Sequence, residues 1–420
     1  MKKSNPKRAG AWLINSVFWL GAVVVGLVIV AMTFLSEWAT QKYHTLSADY
    51  FGYQFLAPPI GLAVIAWLTF RFFPGSERSG IPQIKSVLES DDPGIESAKL
   101  LSFKISLGKL FLPLMGLLSG ASVGLGGPVV HIGASILYSL GKVTKFPAHY
   151  LTRGLILAGS AAGFAALFNA PLAGIIFALE EMGRTLDEKI SGLMITAIVI
   201  SGITAYAFLN YRIYFVEELI SMPLGATWLA IPVCATVGGI AGGIFSKVAI
   251  TGSHLISRSK ISFFTIAFVC GGVIAVINFY SQGATAGTGY HQAKAIFNDA
   301  DNMEITYPLY KMISTWATFF SGIPSGIFVP SLATGAGIGA DVAHWLPVAP
   351  STVMILLTMT AYFSAMLQTP LTAFVVVMEV TDSHEILIPL MAASYMASWI
   401  SKIIHPVPLY RALCDAYTQK

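Results

Sequence analysis

Charge is what this chain has least of. Of its 420 residues, 11% are Asp, Glu, Lys or Arg, where a soluble domain carries about 25%. A water-exposed globular surface is therefore not expected. The balance is nearly even, at +4, which is too small to argue for nucleic acid as a partner. Cysteine is scarce: Cys234, Cys270 and Cys414 are scattered, with neither a disulfide framework nor a metal-ligand spacing. The eight His are isolated, so no metal or other cofactor is expected. His-Glu-x-x-His is absent, and an enzyme is not expected.

What fills the chain is apolar, at 55% hydrophobic residues. Runs at 11–35, 55–73, 193–209, 228–250 and 261–279 are near or above the ~20 residues a spanning helix needs. The fold class expected is an all-α polytopic membrane protein. Lys2, Lys3, Lys7 and Arg8 precede the first run, which places the N-terminus in the cytoplasm. That run has no small-residue cleavage site and reads as retained helix. Lys402, Arg411 and Lys420 give the C-terminus the same side.

The interruptions are as informative as the runs. Ser-Gly-Ile-Pro occurs at 79–82 and again at 321–324. Irregular backbone at membrane depth is tolerated only where protein or a watery path covers it, and paired breaks suggest two halves built on one plan. Two further matches keep one order. Pro128 pairs with Pro330, with Gly133-Ala134 against Gly335-Ala336. Pro171-Leu172 and Pro370-Leu371 are each followed by Glu, at Glu180 and Glu379. The halves are placed at 11–215 and 225–410, between cytoplasmic ends 1–10 and 411–420. Because Ser79 stands 49 residues before Pro128 but Ser321 only nine before Pro330, the two tetrapeptides need not be mates. The stretches 77–96 and 280–307 read as polar loops.

Four regions combine small residues or proline with helix starts: 78–83, 124–128, 326–330 and 408–410. Proline suits a helix start, and free N–H groups there attract anions. Converging starts would bind an anion without any full positive charge, weakly enough to release it. Hydroxyls of Ser79 and Tyr410 would add neutral donors. The reading is an anion channel or transporter.

These motifs in this order resemble the CLC family of chloride channels and proton-coupled chloride antiporters, over essentially the whole chain. The resemblance implies an inverted repeat of two helical halves with tilted and broken helices. It also implies a homodimer with one pore per subunit, in a prokaryotic plasma membrane, with chloride as the substrate. Carried over by motif, Ser79, Gly80 and Ile81, Gly126 and Gly127, Ile327 and Phe328, and Tyr410 would contact anions. Lys109 would raise the positive potential of the pore.

One departure matters most. The family's gating glutamate falls on Gly126, which has no side chain to plug a pore or titrate. Passage that is passive and not proton-coupled is expected. Glu181 matches the family's inner proton-transfer glutamate. It is read here as structural, capping a helix or meeting nearby cations such as Arg184 and Lys189. The alternative is a proton-coupled antiporter in which Glu181 or His131 supplies the missing group.

Overall fold

In the computed structural model the described residues are 6–90, 99–143, 148–182, 188–209, 221–222, 224–299 and 304–418. Lys2, Lys3, Arg184, Lys420 and most of the expected boundary between halves lie outside them, as do the side chains of Lys7, Arg8 and Lys189. The described chain is helical. Its only extended pairing is a single antiparallel bridge between Gly124 and Gly326.

The first part contains α1 (Pro6–Asp49), α2 (Tyr53–Phe72), α3 (Ile81–Glu89), α4 (Phe103–Leu118), α5 (Gly126–Val143), α6 (Ala148–Phe168), α7 (Pro171–Phe177) and α8 (Glu188–Leu209). The second contains α9 (Ala230–Arg258), α10 (Phe263–Tyr280), α11 (Tyr290–Asn298), α12 (Tyr307–Phe320), α13 (Phe328–Trp345), α14 (Ser351–Leu367), α15 (Pro370–Thr381) and α16 (Leu387–Ile404). A last helix, α17, covers Leu409–Thr418.

Five segments, in α1, α2, α9, α10 and α16, are long and apolar enough to cross a membrane. Four of the expected apolar runs fall in the first four of these helices, and 193–209 falls in α8. Leu56, Ile60 and Trp67 on α2 are exposed, as are Phe264, Phe268 and Val273 on α10. Apolar side chains turned outward on long helices suit lipid, not water. The middle is different. From Val353 to Leu367, α14 is buried on every side, as an apolar helix inside a bundle should be. Close crossings rest on small residues: a side chain at Gly133 would strike the Gly159 backbone, and one at Gly335 would strike Met359.

The two parts repeat each other in detail. Lys109, Ser119, Gly120, Gly124 and Pro128 recur at identical spacing as Lys311, Ser321, Gly322, Gly326 and Pro330. Gly120 and Gly322 share left-handed φ values of 77° and 76°. Lys109 is buried and donates to the carbonyls of Ser76 (3.1 Å) and Arg78 (3.1 Å). Lys311 is buried and donates to Thr285 (2.8 Å) and Gly287 (3.0 Å). Each lysine thus anchors the loop that leads into a nine-residue helix, α3 or α11. Both helices start after a left-handed glycine, Gly80 (φ 97°) or Gly289 (φ 90°).

The second Ser-Gly-Ile-Pro is therefore the counterpart of Ser119–Ser122. The counterpart of Ser79–Pro82 is Thr288-Gly289-Tyr290-His291. The stretches read as polar loops each contain one of these helices, because a left-handed glycine starts a turn that alternating polarity does not reveal.

The halves also clasp each other reciprocally. Glu180 accepts from the N–H groups of Leu371 (3.0 Å) and Thr372 (2.6 Å) at the start of α15. Glu379 accepts from those of Leu172 (3.1 Å) and Ala173 (2.5 Å) at the start of α7. Each carboxylate satisfies donors that a helix start leaves unpaired, where the dipole favours a negative charge. Reciprocal contact of this kind is the mark of a two-fold relation.

Candidate anion site

Four helix starts meet where the halves join. Gly124 and Gly326 exchange hydrogen bonds, N–H to O=C, at 2.9 Å and 2.7 Å. That bridge sets the starts of α5 and α13 side by side. Val129 N–H reaches Leu125 O and Ser331 N–H reaches Ile327 O, so the ladders begin only there. The amides from Gly126 to Gly127 and from Phe328 to Val329 belong to the unpaired first turn. Pro128 and Pro330 follow at once, each removing a donor that would otherwise need a partner.

The start of α3 closes on them. Ser79 lies against Gly127 so tightly that a side chain there would overlap the serine's hydroxyl and carbonyl. Gly80 is enclosed as well, by His131 Cβ at 2.9 Å and Lys109 Cε at 3.1 Å from where a Cβ would stand. Glycine is required there twice over, for its left-handed φ and for the space. From the other side α17 brings Tyr410, which is fully buried. Its ring meets Phe328 edge-on at 5.8 Å. Phe328 also contacts Phe164, Phe177 and Phe363 in T-shaped geometry, the arrangement that ring quadrupoles prefer. A side chain at Gly126 would meet this ring, with Phe328 Cδ2 2.7 Å from its Cβ.

The hydroxyls of Ser79 and Tyr410 are neighbours in this enclosure. Both are buried, and neither has a hydrogen-bond partner outside this pair. Burying an unpaired hydroxyl is costly, and a native one calls for an explanation, such as a bound ion. Here the two hydroxyls come together with the starts of α3, α5 and α13. No side-chain cation is directed into the enclosure by the bonds described. The donor set fits a small anion held by partial charges.

The other expected residues fall around this centre in different roles. Ile81 begins α3 and is buried; Ile327 lies just before α13. Lys109 is spent on the carbonyls of Ser76 and Arg78, behind Ser79-Gly80. His131 is buried on α5, with Nε2 2.9 Å from Leu100 O. A carbonyl only accepts, so Nε2 bears the proton and Nδ1 is left to accept from Ser135 Oγ at 3.5 Å. Glu181 sits in a π-helical turn, Ala178–Met182, and pairs with Lys85 Nζ at 2.8 Å. Lys85 lies one turn into α3 and also donates to Glu181 O at 3.0 Å. Glu181 thus meets a cation of α3 within the described residues.

Gly120-Ala121-Ser122-Val123-Gly124 has the Gly-x-Ser-x-Gly spacing of a hydrolase nucleophile. Ser122 Oγ bonds Thr315 Oγ1 at 2.9 Å, and a threonine hydroxyl is no base. The serine ties the turn after α4 to α12.

Residues 61–402 match the family described as voltage gated chloride channel. The chain belongs to that family. Its members transport chloride and are not enzymes in the usual sense. Among curated relatives, the H(+)/Cl(-) exchange transporter ClcA of Yersinia pestis bv. Antiqua (strain Angola) is 29% identical, with 93% of this chain and 85% of that protein covered. The structure of a slow cyanobacterial Cl-/H+ antiporter superposes with a TM-score of 0.81 at 24% identity, covering 96% of this chain and 98% of that one. A eukaryotic CLC transporter gives 0.80 at 18% identity, over 97% and 74%. At these identities the two structures speak for the fold. The protein is an all-α multi-pass membrane protein of the chloride channel family.

Proposed function

We propose that this chain passes chloride through the enclosure formed by Ser79, Gly126, Phe328 and Tyr410, and that the passage is not coupled to protons. The observation that carries the reading is Gly126. It stands at the start of α5 under the Phe328 ring, where the resemblance would put a gating carboxylate. Exchanging protons for anions needs a titratable group inside the enclosure, where the anion is held. Backbone at Gly126 supplies amides for an anion and nothing to take a proton. Ser79, Gly80, Ile81, Gly127, Ile327 and Phe328 supply the remaining shell, through hydroxyl and amide donors.

Glu181 serves in this reading as the acceptor that holds Lys85 and thereby α3. His131 serves as a brace to Leu100. All the site residues come from one chain, which supports one pore per subunit in the homodimer that the resemblance implies. Both termini are placed in the cytoplasm. The test is flux from liposomes containing purified protein, with chloride and external pH followed together. Chloride movement without proton movement is expected. Proton movement in fixed ratio would return Glu181 and His131 to the path.

A further inference from the structure

The duplication that builds the candidate site also builds its counterpart. Ser79-Gly80 before α3 corresponds to Thr288-Gly289 before α11, and Gly127 beside Ser79 corresponds to Val329. The candidate site lies among α3, α5, α13 and α17. Around the counterpart, Thr288 and Val329 share a cavity with residues of α1. This cavity, of about 70 Å³, is lined by Thr33, Glu37, Leu125, Thr288, His291 and Val329 among others. Leu125 and Val329 are the chain neighbours of Gly126 and Phe328, so the cavity and the enclosure share the segments that begin α5 and α13.

The cavity's charges are arranged in a particular way. Lys311 sits behind Thr288-Gly289, bound to the carbonyls of Thr285 and Gly287. Glu37 is the single carboxylate among the lining residues. His291, near the start of α11, brings its Nε2 to 3.7 Å from Glu37 Oε1. His44 on α1 and Lys311 on α12 stand within electrostatic range of this cluster, and Lys294 follows His291 on α11. Glu37 lies near the far end of α1 from the N-terminus, roughly 45 Å along a helix that rises 1.5 Å per residue. With the N-terminus in the cytoplasm, this is the outer side.

We propose that this cavity is the outward continuation of the anion path, and that Glu37, held by His291, is its carboxylate gate. It acts from α1 at the mouth, where Gly126 has no side chain to act within. The inference rests on the proposed passage through the enclosure. A carboxylate at the mouth of a narrow path repels an approaching anion, and its contact with His291 sets how far it reaches across.

The test measures chloride flux per subunit in liposomes at one fixed pH. Glu37→Gln keeps the shape and removes the charge, and should raise flux about threefold or more. His291→Gln frees the carboxylate from that contact and should lower flux. Glu37→Cys should be slowed by an anionic thiol reagent added outside and not by a cationic one, with the wild type unaffected by both. Flux unchanged in Glu37→Gln, and no charge-dependent effect on Glu37→Cys, would overturn the inference while Gly126→Glu still slows passage. If Gly126→Glu, Tyr410→Phe and Glu37→Gln all leave flux unchanged, the enclosure is not the path and the gate falls with it.

Discussion

Tyr410→Phe separates an anion site from an ordinary core in one substitution, because the two make opposite demands on the hydroxyl. Tyr410 is fully buried, and its hydroxyl has no hydrogen-bond partner apart from the Ser79 hydroxyl beside it. An unsatisfied buried polar group costs about 1–3 kcal/mol. Removing it while keeping the ring, and with it the edge-on contact to Phe328 at 5.8 Å, should stabilise the chloride-free protein by up to that amount. In the presence of chloride the sign reverses for binding. A hydrogen bond to a charged group contributes about 1.5–3 kcal/mol, and tenfold in affinity corresponds to about 1.4 kcal/mol. The dissociation constant for chloride should rise about tenfold to a hundredfold. Calorimetric titration with chloride and a thermal melt in chloride-free detergent give the two numbers independently. A lower melting temperature with unchanged chloride affinity would refute the reasoning, since it would make the hydroxyl a structural bond and not a ligand.

Other substitutions follow from the same geometry. Ser79→Ala should weaken chloride binding without destabilising the chloride-free protein, read by the same pair of assays. Gly126→Glu should slow chloride efflux and make it depend on pH; because its Cβ would stand 2.7 Å from Phe328 Cδ2, that ring must also shift, which aromatic fluorescence or a crystal structure would reveal. Glu181→Gln should retain chloride flux but lose its charge pairing with Lys85, a largely buried pair whose disruption costs about 3–5 kcal/mol, seen as a lower melting temperature. Glu180→Ala and Glu379→Ala should each cost about 1–2 kcal/mol as lost caps, measured by thermal melts of the two single variants.

Much of this was legible in the sequence because it is written in residue types with narrow uses. Proline at Pro128, Pro171, Pro330 and Pro370 marks helix starts, and all four lie in the first turn of a helix. The apolar runs gave the long helices by length alone. The counterpart of Ser79–Pro82 was not legible: Thr288-Gly289-Tyr290-His291 shares only the glycine with it. What the two segments have in common is a left-handed φ and a buried lysine donating to two carbonyls, and neither shows in residue spelling. The pairing of Lys311 with Lys109 was within reach, since both keep the same distance to Pro330 and Pro128. The crossed caps of Glu180 and Glu379 were half legible. Their spacing from Pro171 and Pro370 is identical, yet each serves the other half's helix, and only the assembled fold decides that. For Lys109 the structure adds a second part beside the one the resemblance implies. The family resemblance gives it a part in pore potential, and the structure shows its ammonium directed at Ser76 and Arg78, fixing the loop that presents Ser79.

The central claim is that chloride crosses at Gly126 with no proton in return. Chloride efflux from liposomes, with external pH recorded on the same sample and a potassium shunt present, tests it most directly. The account predicts chloride efflux with a flat pH trace, both in the wild type and in Glu181→Gln. Proton uptake in constant ratio to chloride efflux, abolished in Glu181→Gln, would contradict it.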